Sequence, residues 1–185
     1  MIRLLAPDPT RYDAFADCLA EYGGAGLDGS SVRPEDTLSL DRPFFDGYLR
    51  ARAAEEDEAA VQPAGRVPCT SRWIVEDDWE DGGPLLGFIA LRHALNPFLF
   101  DQGGHIGYSV RPSARRRGAA TAALALTLGA AQRRGIDPVL VTCLEDNEAS
   151  RRIIEAAGGL YEDSREGHRR YWIGRGPVPT APDVP

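Results

Sequence analysis

Apolar positions along this chain recur with two different periods, and each change of period marks an element boundary. Residues 2–6 read as a short first strand. From about Thr10 to Tyr22 the residues Tyr12, Phe15, Ala16, Leu19 and Tyr22 fall at helical spacing, with Thr10 or Asp8 as the expected N-cap. Gly23 to Pro43 follows neither period. A glycine-, serine- and proline-bearing connection of that length points to a binding loop or lid. Asp41 is placed to cap a second helix with Pro43 in its first turn. Phe44, Phe45, Tyr48 and Leu49 supply its buried side, and it ends in solvent at Glu55 to Glu58.

Strand patterns dominate the second half. After a turn over Pro63 to Pro68, the segments Ser71 to Glu76 and Leu85 to Arg92 predict two antiparallel strands joined by the acidic residues 77–83. A loop through Asn96, Pro97 and Phe98 leads to a strand from His105 to Val110. Gly118 to about Arg134 is a helix with alanine and leucine around most of its circumference, so heavy burial is expected, and Gly135 stops it. Pro138 to Leu144 is almost unbroken in apolarity, as a strand in mid-sheet should be. A helix from Glu148 to Ala157 ends at Gly158 and Gly159, and strands over 160–163 and 168–173 flank a turn near 165–167. The stretch 176–185 is a Pro-rich, flexible tail, which leaves 1–175 as one domain without internal repeats.

Composition narrows the function. The chain has 185 residues, enough for one α/β domain with a substantial core, and its apolar share of 43% is ordinary for a globular protein. A formal net charge of −7 speaks against nucleic acid as the main partner and suits a cationic acceptor. Cys18, Cys69 and Cys143 are odd in number and widely spaced, so neither a disulfide framework nor a zinc site is expected, and no other metal site suggests itself. With no membrane-length apolar run and no signal-peptide core after Met1, a cytoplasmic protein without membrane attachment is expected.

The most informative stretch is 109–121. A strand ending at Ser109 and Val110 gives way to the cationic turn Arg115, Arg116, Arg117, which opens at Gly118 into the helix beginning Ala119, Ala120, Thr121. Free N–H groups at a positive helix end, beside guanidinium groups, form a pyrophosphate cradle. Neither a Walker loop nor a Gly-x-Gly-x-x-Gly turn is present. Arg115, Gly118 and Ala120 fit Arg-x-x-Gly-x-Gly/Ala, and the chain resembles here the GNAT superfamily of acyl-CoA-dependent N-acyltransferases. The order of elements from Ile2 to Ile173 resembles that family too. Gly103 to Tyr108, with Val141 to Cys143 and Asn147 to Ser150, is similar to a bacterial group of predicted acetyltransferases.

The resemblance implies an α/β (α+β) fold: a mixed sheet of about seven strands, splayed at its two central parallel strands, with about four helices. It implies acetyl-CoA as cofactor, its pantetheine arm held by backbone near Tyr108, Ser109 and Val110. The pyrophosphate would lie on the N–H groups of Arg116, Arg117, Gly118, Ala119 and Ala120. Asn147 and Ser150 open the second family motif, where Asn147 contacts the cofactor or simply caps the helix. The side chains of Arg115, Arg116 and Arg117 are each candidate phosphate ligands or solvated charges. An amine of a small molecule or peptide is the implied acceptor, and homodimers are common in the family.

Proton chemistry is less determined. The tyrosine that family members carry seven residues after the motif asparagine is replaced by Ile154. Tyr108 is the preferred acid or positioning hydroxyl, with His105 and His93 as further candidates. The same departure leaves open a non-catalytic acyl-CoA-binding module. Acceptor specificity is expected in the 23–43 loop, the 77–81 loop and the final hairpin around His168.

Overall fold

The computed structural model describes residues 1–23, 27–32 and 40–182. Seven strands form one sheet: β1 (Arg3–Leu5), β2 (Cys69–Val75), β3 (Gly87–Arg92), β4 (Ile106–Val110), β5 (Val139–Leu144), β6 (Leu160–Arg165) and β7 (His168–Ile173). Their order is β1-β2-β3-β4-β5-β7-β6, antiparallel throughout except for the parallel pair β4 and β5. Four α-helices accompany them: α1 (Tyr12–Ala20), α2 (Arg42–Glu56), α3 (Ala119–Arg133) and α4 (Glu148–Ala156).

The alternation of side chains along the strands builds two cores. Ile74, Ile89, Leu91, Ile106, Val139, Val141 and Tyr171 face α3 and α4, where Ala123, Leu124 and Ile154 are fully buried. Trp73, Val75 and Phe88 face the other way, onto α1 and α2. That second core is aromatic: Phe15 of α1 packs against Phe45, Tyr48, Trp73 and Phe88. A third cluster joins Leu140 and Trp172 to Leu99 and Phe100 of a π-helical turn over Leu99–Gly103. Large aromatic side chains each remove a large area from water when buried in this way.

Several boundaries differ from expectation for local reasons. Neither Thr10 nor Asp8 caps α1. The Asp8 carboxylate instead accepts both the backbone N–H and the hydroxyl of Thr10, at 2.8 and 2.7 Å. These bonds tie Thr10 into a separate turn, so α1 begins at Tyr12 and carries no side-chain cap. At α2 the expected cap is present: Asp41 accepts the Phe44 N–H at 2.8 Å. β6 runs two residues further than its apolar pattern suggested, because Ser164 and Arg165 continue the ladder opposite Arg169 and His168. Beyond β7, the Arg175 N–H donates to Asp137 at 2.9 Å, which holds the residue preceding the Pro-rich tail against the chain two residues before β5.

Parts of the expected 23–43 binding loop, residues 24–26 and 33–39, lie outside the described residues. Within the described stretch 27–32, Leu27 and Val32 join the aromatic core and Gly29 approaches β4. At Gly29, with φ +73, a Cβ would stand 2.1 Å from the Gly107 carbonyl oxygen, so only glycine permits this approach. Arg111, just past β4, anchors the end of α1: it donates to Glu21 and, at 2.7 Å, to Asp17. Among the described residues no helix is long and apolar enough to cross a membrane, and no group of three or more His, Cys, Asp or Glu residues could hold a metal ion.

Candidate functional site

β4 and β5 touch at a single bridged pair, Ile106 opposite Val141, and diverge beyond it. Below the bridge the two strands are riveted. The His105 N–H donates to the Leu140 carbonyl at 2.7 Å, and the Leu140 N–H donates to His105 Nδ1 at 2.9 Å. Burial pushes the His105 imidazole down to about 4, so it is neutral at physiological pH, as an Nδ1 acceptor must be. His105 therefore closes the apex of the wedge and does not line the cleft beyond it. Its candidacy as an acid or base gives way to this sheet-bonding role.

Ladder alternation decides which backbone groups face the opening. In the antiparallel pairing of β3 with β4, the Arg92 N–H donates to His105 and the Arg111 N–H donates to Leu86. Alternate residues therefore turn toward β3, and these are Gly107 and Ser109. The backbone of Tyr108 and Val110 points into the wedge. Ser109, expected to share in holding the arm, has its backbone groups committed to β3. The Val110 carbonyl is itself taken by Arg115 Nε at 3.0 Å, leaving the Tyr108 N–H and C=O and the Val110 N–H on the open edge.

The cationic turn stands at the wide end of this wedge. Arg116 has φ +61, and Gly118, at the N-cap of α3, has φ +83 with nothing within 4 Å of a Cβ placed on it. The first intrahelical bond of α3 runs from the Ala122 N–H to the Gly118 carbonyl at 3.0 Å. Hence the N–H groups of Ala119, Ala120 and Thr121 have no partner inside the helix. The three arginines separate by role. Arg115 braces Val110, Arg117 reaches Glu76 at 3.5 Å, and Arg116 lines the cleft without a side-chain partner among the described residues.

Opposite the β4 edge, Tyr108 hydroxyl meets Ser150 Oγ at 2.7 Å, while Asn147 Oδ1 accepts the Ser150 N–H at 3.0 Å. Asn147 thus caps α4 and also lines the cleft. Burial pushes the Tyr108 phenol up to about 12, so it remains protonated. His93 is not brought to this place. Its Nε2 lies 2.9 Å from Thr70 Oγ1, its Nδ1 edge faces Glu58, and it does not line the cleft. Burial holds it below the ordinary imidazole range.

The cleft encloses about 800 Å³ and passes through the splayed sheet. On the α3 and α4 face it is lined by Ala119, Ala120, Cys143, Ala149, Ser150 and Ile153. Along β5, Val141 and Cys143 belong to that face, so Thr142 and Leu144 belong to the opposite one. There the lining is Asp28, Arg92, Phe98, Gln102, Thr142 and His168. Of these, pattern reading had marked only the loop holding Asp28 and the hairpin holding His168. Arg92 is fixed by its donations to the Gly103 and Gly104 carbonyls at 2.7 and 3.0 Å.

A family model described as an acetyltransferase (GNAT) domain matches residues 42–159. No curated protein matches the chain. Among solved structures, the chain is similar to RimJ of Mycobacterium smegmatis in complex with CoA-disulfide, at 19% identity over 93% of this chain and 81% of that one, with a TM-score of 0.68. MccE, a microcin C7 self-immunity acetyltransferase in complex with acetyl-CoA and AMP, gives 12% identity over 94% and 92%, with a TM-score of 0.66. RimL, a ribosomal L7/L12 alpha-N-protein acetyltransferase in complex with coenzyme A, gives 16% identity over 92% of each chain, with a TM-score of 0.65.

Proposed function

Because the chain belongs to the acetyltransferase (GNAT) domain family, we propose that it moves an acetyl group from acetyl-CoA to a primary amine of a small molecule or peptide, through the cleft between β4 and β5. The observation that carries this reading is the opening of those strands after one bridged pair, directly beside a helix end with unpartnered N–H groups. The residues fit the cofactor: Ala119, Ala120 and Thr121 offer backbone donors to a pyrophosphate, beside the Arg116 guanidinium and an open Gly118. The Tyr108 edge and the Asn147 side chain line the space for an extended arm. Bound acetyl-CoA supplies the activated acetyl thioester.

The chain's own part is to orient, polarise and move protons. The Val110 N–H on the wedge edge is the donor available to the carbonyl oxygen. The Tyr108 hydroxyl, held protonated by burial and oriented by Ser150, is the donor available to the departing sulfur. Tyr108→Phe is expected to lower kcat about 100-fold, the lower end for loss of a general acid, with little change in the Kd for acetyl-CoA. An unchanged kcat would remove Tyr108 from the chemistry.

Relatives of this fold that are named for acetylating a protein's α-amino group make a peptide terminus the first acceptor to try. The test is thiol release from acetyl-CoA with a Ser-initiated peptide, a Lys-containing peptide blocked at its N-terminus, and spermidine. Acceptor-dependent release supports transfer. Ile154, buried where the family tyrosine would stand, favours a second reading as a non-catalytic acyl-CoA-binding module. Binding with no release across the three acceptors would favour that reading.

A further inference from the structure

Of the chain's three histidines, His168 alone lines the cleft. It opens β7 opposite Leu144, on the sheet face that also carries Thr142 and lies away from α3 and α4. Its Nδ1 is 3.0 Å from the backbone carbonyl of Glu166. A carbonyl oxygen can only accept, so in the neutral ring Nδ1 carries the proton and Nε2 is the lone-pair nitrogen. The turn that sets this contact is itself constrained. Glu166 has φ +48, and the Gly167 carbonyl accepts the Glu145 N–H at 3.0 Å, which pins the hairpin to the end of β5. The ring is therefore held in the tautomer a base requires.

We propose that His168 Nε2 is the general base that takes a proton from the acceptor ammonium, an inference that rests on the acetyltransferase reading above. In that step an N–H bond of the ammonium breaks, an Nε2–H bond forms, and the electron pair stays on the amine nitrogen. The imidazolium then returns its proton to water. A lysine-like amine, with a pKa of about 10.4, is almost wholly protonated at neutral pH, so such a step is required. The charged groups around His168 leave the ring accessible. Arg165, its register partner on β6, is turned to Asp101 and Asp163, and Arg170 on the same strand face is bonded to Glu162 and Asp163. Glu145, Glu166 and Arg169 flank it along the chain ends and the turn, and Asp28 and Arg92 line the same cleft. Asp28 places a carboxylate in this chamber that suits a cationic acceptor.

Two measurements test the assignment. Long-range ¹H–¹⁵N NMR of the free protein, with His168 identified by its disappearance in His168→Gln, is expected to show the Nδ1–H tautomer; an Nε2–H tautomer overturns the proposal. With whichever of the three acceptors above turns over fastest, His168→Gln is expected to lose about 100-fold in kcat at neutral pH. Its rate should climb with pH as the free amine appears in solution, and its Kd for acetyl-CoA should stay at the unmodified value. Glutamine can still donate to the Glu166 carbonyl, so the turn is preserved. Turnover with an unmoved pH profile in the variant overturns the base alone. Failure of the unmodified chain to bind acetyl-CoA overturns the acetyltransferase reading and the base with it.

Discussion

Gly118→Glu is expected to weaken acetyl-CoA binding severely while leaving the protein folded. Gly118 sits at φ +83 at the mouth of α3, and nothing in the protein occupies the space a side chain would enter. The fold therefore tolerates the added atoms at the cost of backbone strain of about 1–2 kcal/mol. A phosphate approaching the Ala119, Ala120 and Thr121 N–H groups would meet a carboxylate of like charge that competes for the same donors. Loss of at least about 100-fold in affinity is anticipated, equivalent to about 2.7 kcal/mol. Calorimetry on the variant, with its thermal unfolding as a control, measures this. A Kd equal to that of the unmodified chain would remove the turn from the binding site.

Arg111→Ala is expected to produce the largest loss of stability, about 2–4 kcal/mol, toward the lower part of the range for breaking a buried ion pair because Asp17 is well exposed. Buried beyond β4, the Arg111 guanidinium joins Glu21 and Asp17 of the α1 region and donates to the Leu85 carbonyl. It also holds the Glu21 carboxyl down to about 2, helped by the Ser113 N–H. A carboxyl whose folded pKa lies below its unfolded value of about 4.3 stabilises the fold above that value. The contribution falls away as pH drops through the window from about 4.5 toward 2. Urea unfolding across this window is expected to show stability falling with acid in the unmodified protein and a flatter dependence in Arg111→Ala. Equal slopes would mean that Arg111 does not control Glu21.

The sheet and the half of the cleft proposed for the cofactor are the parts most visible in the linear chain, because both are written in local pattern. The near-continuous apolar run of β5, the alanine-rich α3 and the arginine-glycine turn each announce themselves within a dozen residues. Errors arise where a local signal has two outlets. Asp8 bonds Thr10 where a helix cap was expected, and Ser109 sits on the strand proposed to hold the arm but faces β3. His105 illustrates the same ambiguity: its place at the strand start is visible, its bond to Leu140 is not. The chamber proposed for the acceptor was barely legible because it is assembled from distant segments. Arg92, Gln102, Thr142 and His168 meet only once β7 has paired with β5 and the Leu99–Gly103 turn has packed its Leu99 and Phe100 on Leu140 and Trp172. No window of sequence contains that chamber. One signal was available in advance: His168 follows directly on Glu166 and Gly167, a turn able to present a carbonyl to the ring.

We propose that the wedge between β4 and β5, with the α3 end beside it, binds acetyl-CoA. Titration of acetyl-CoA into the unmodified chain by isothermal calorimetry tests this most directly. The expected result is one site per chain with a Kd in the micromolar range, typical of enzyme substrates at about 1 μM–1 mM, accompanied by an increase in thermal stability. No heat and no stabilisation at millimolar acetyl-CoA would contradict it.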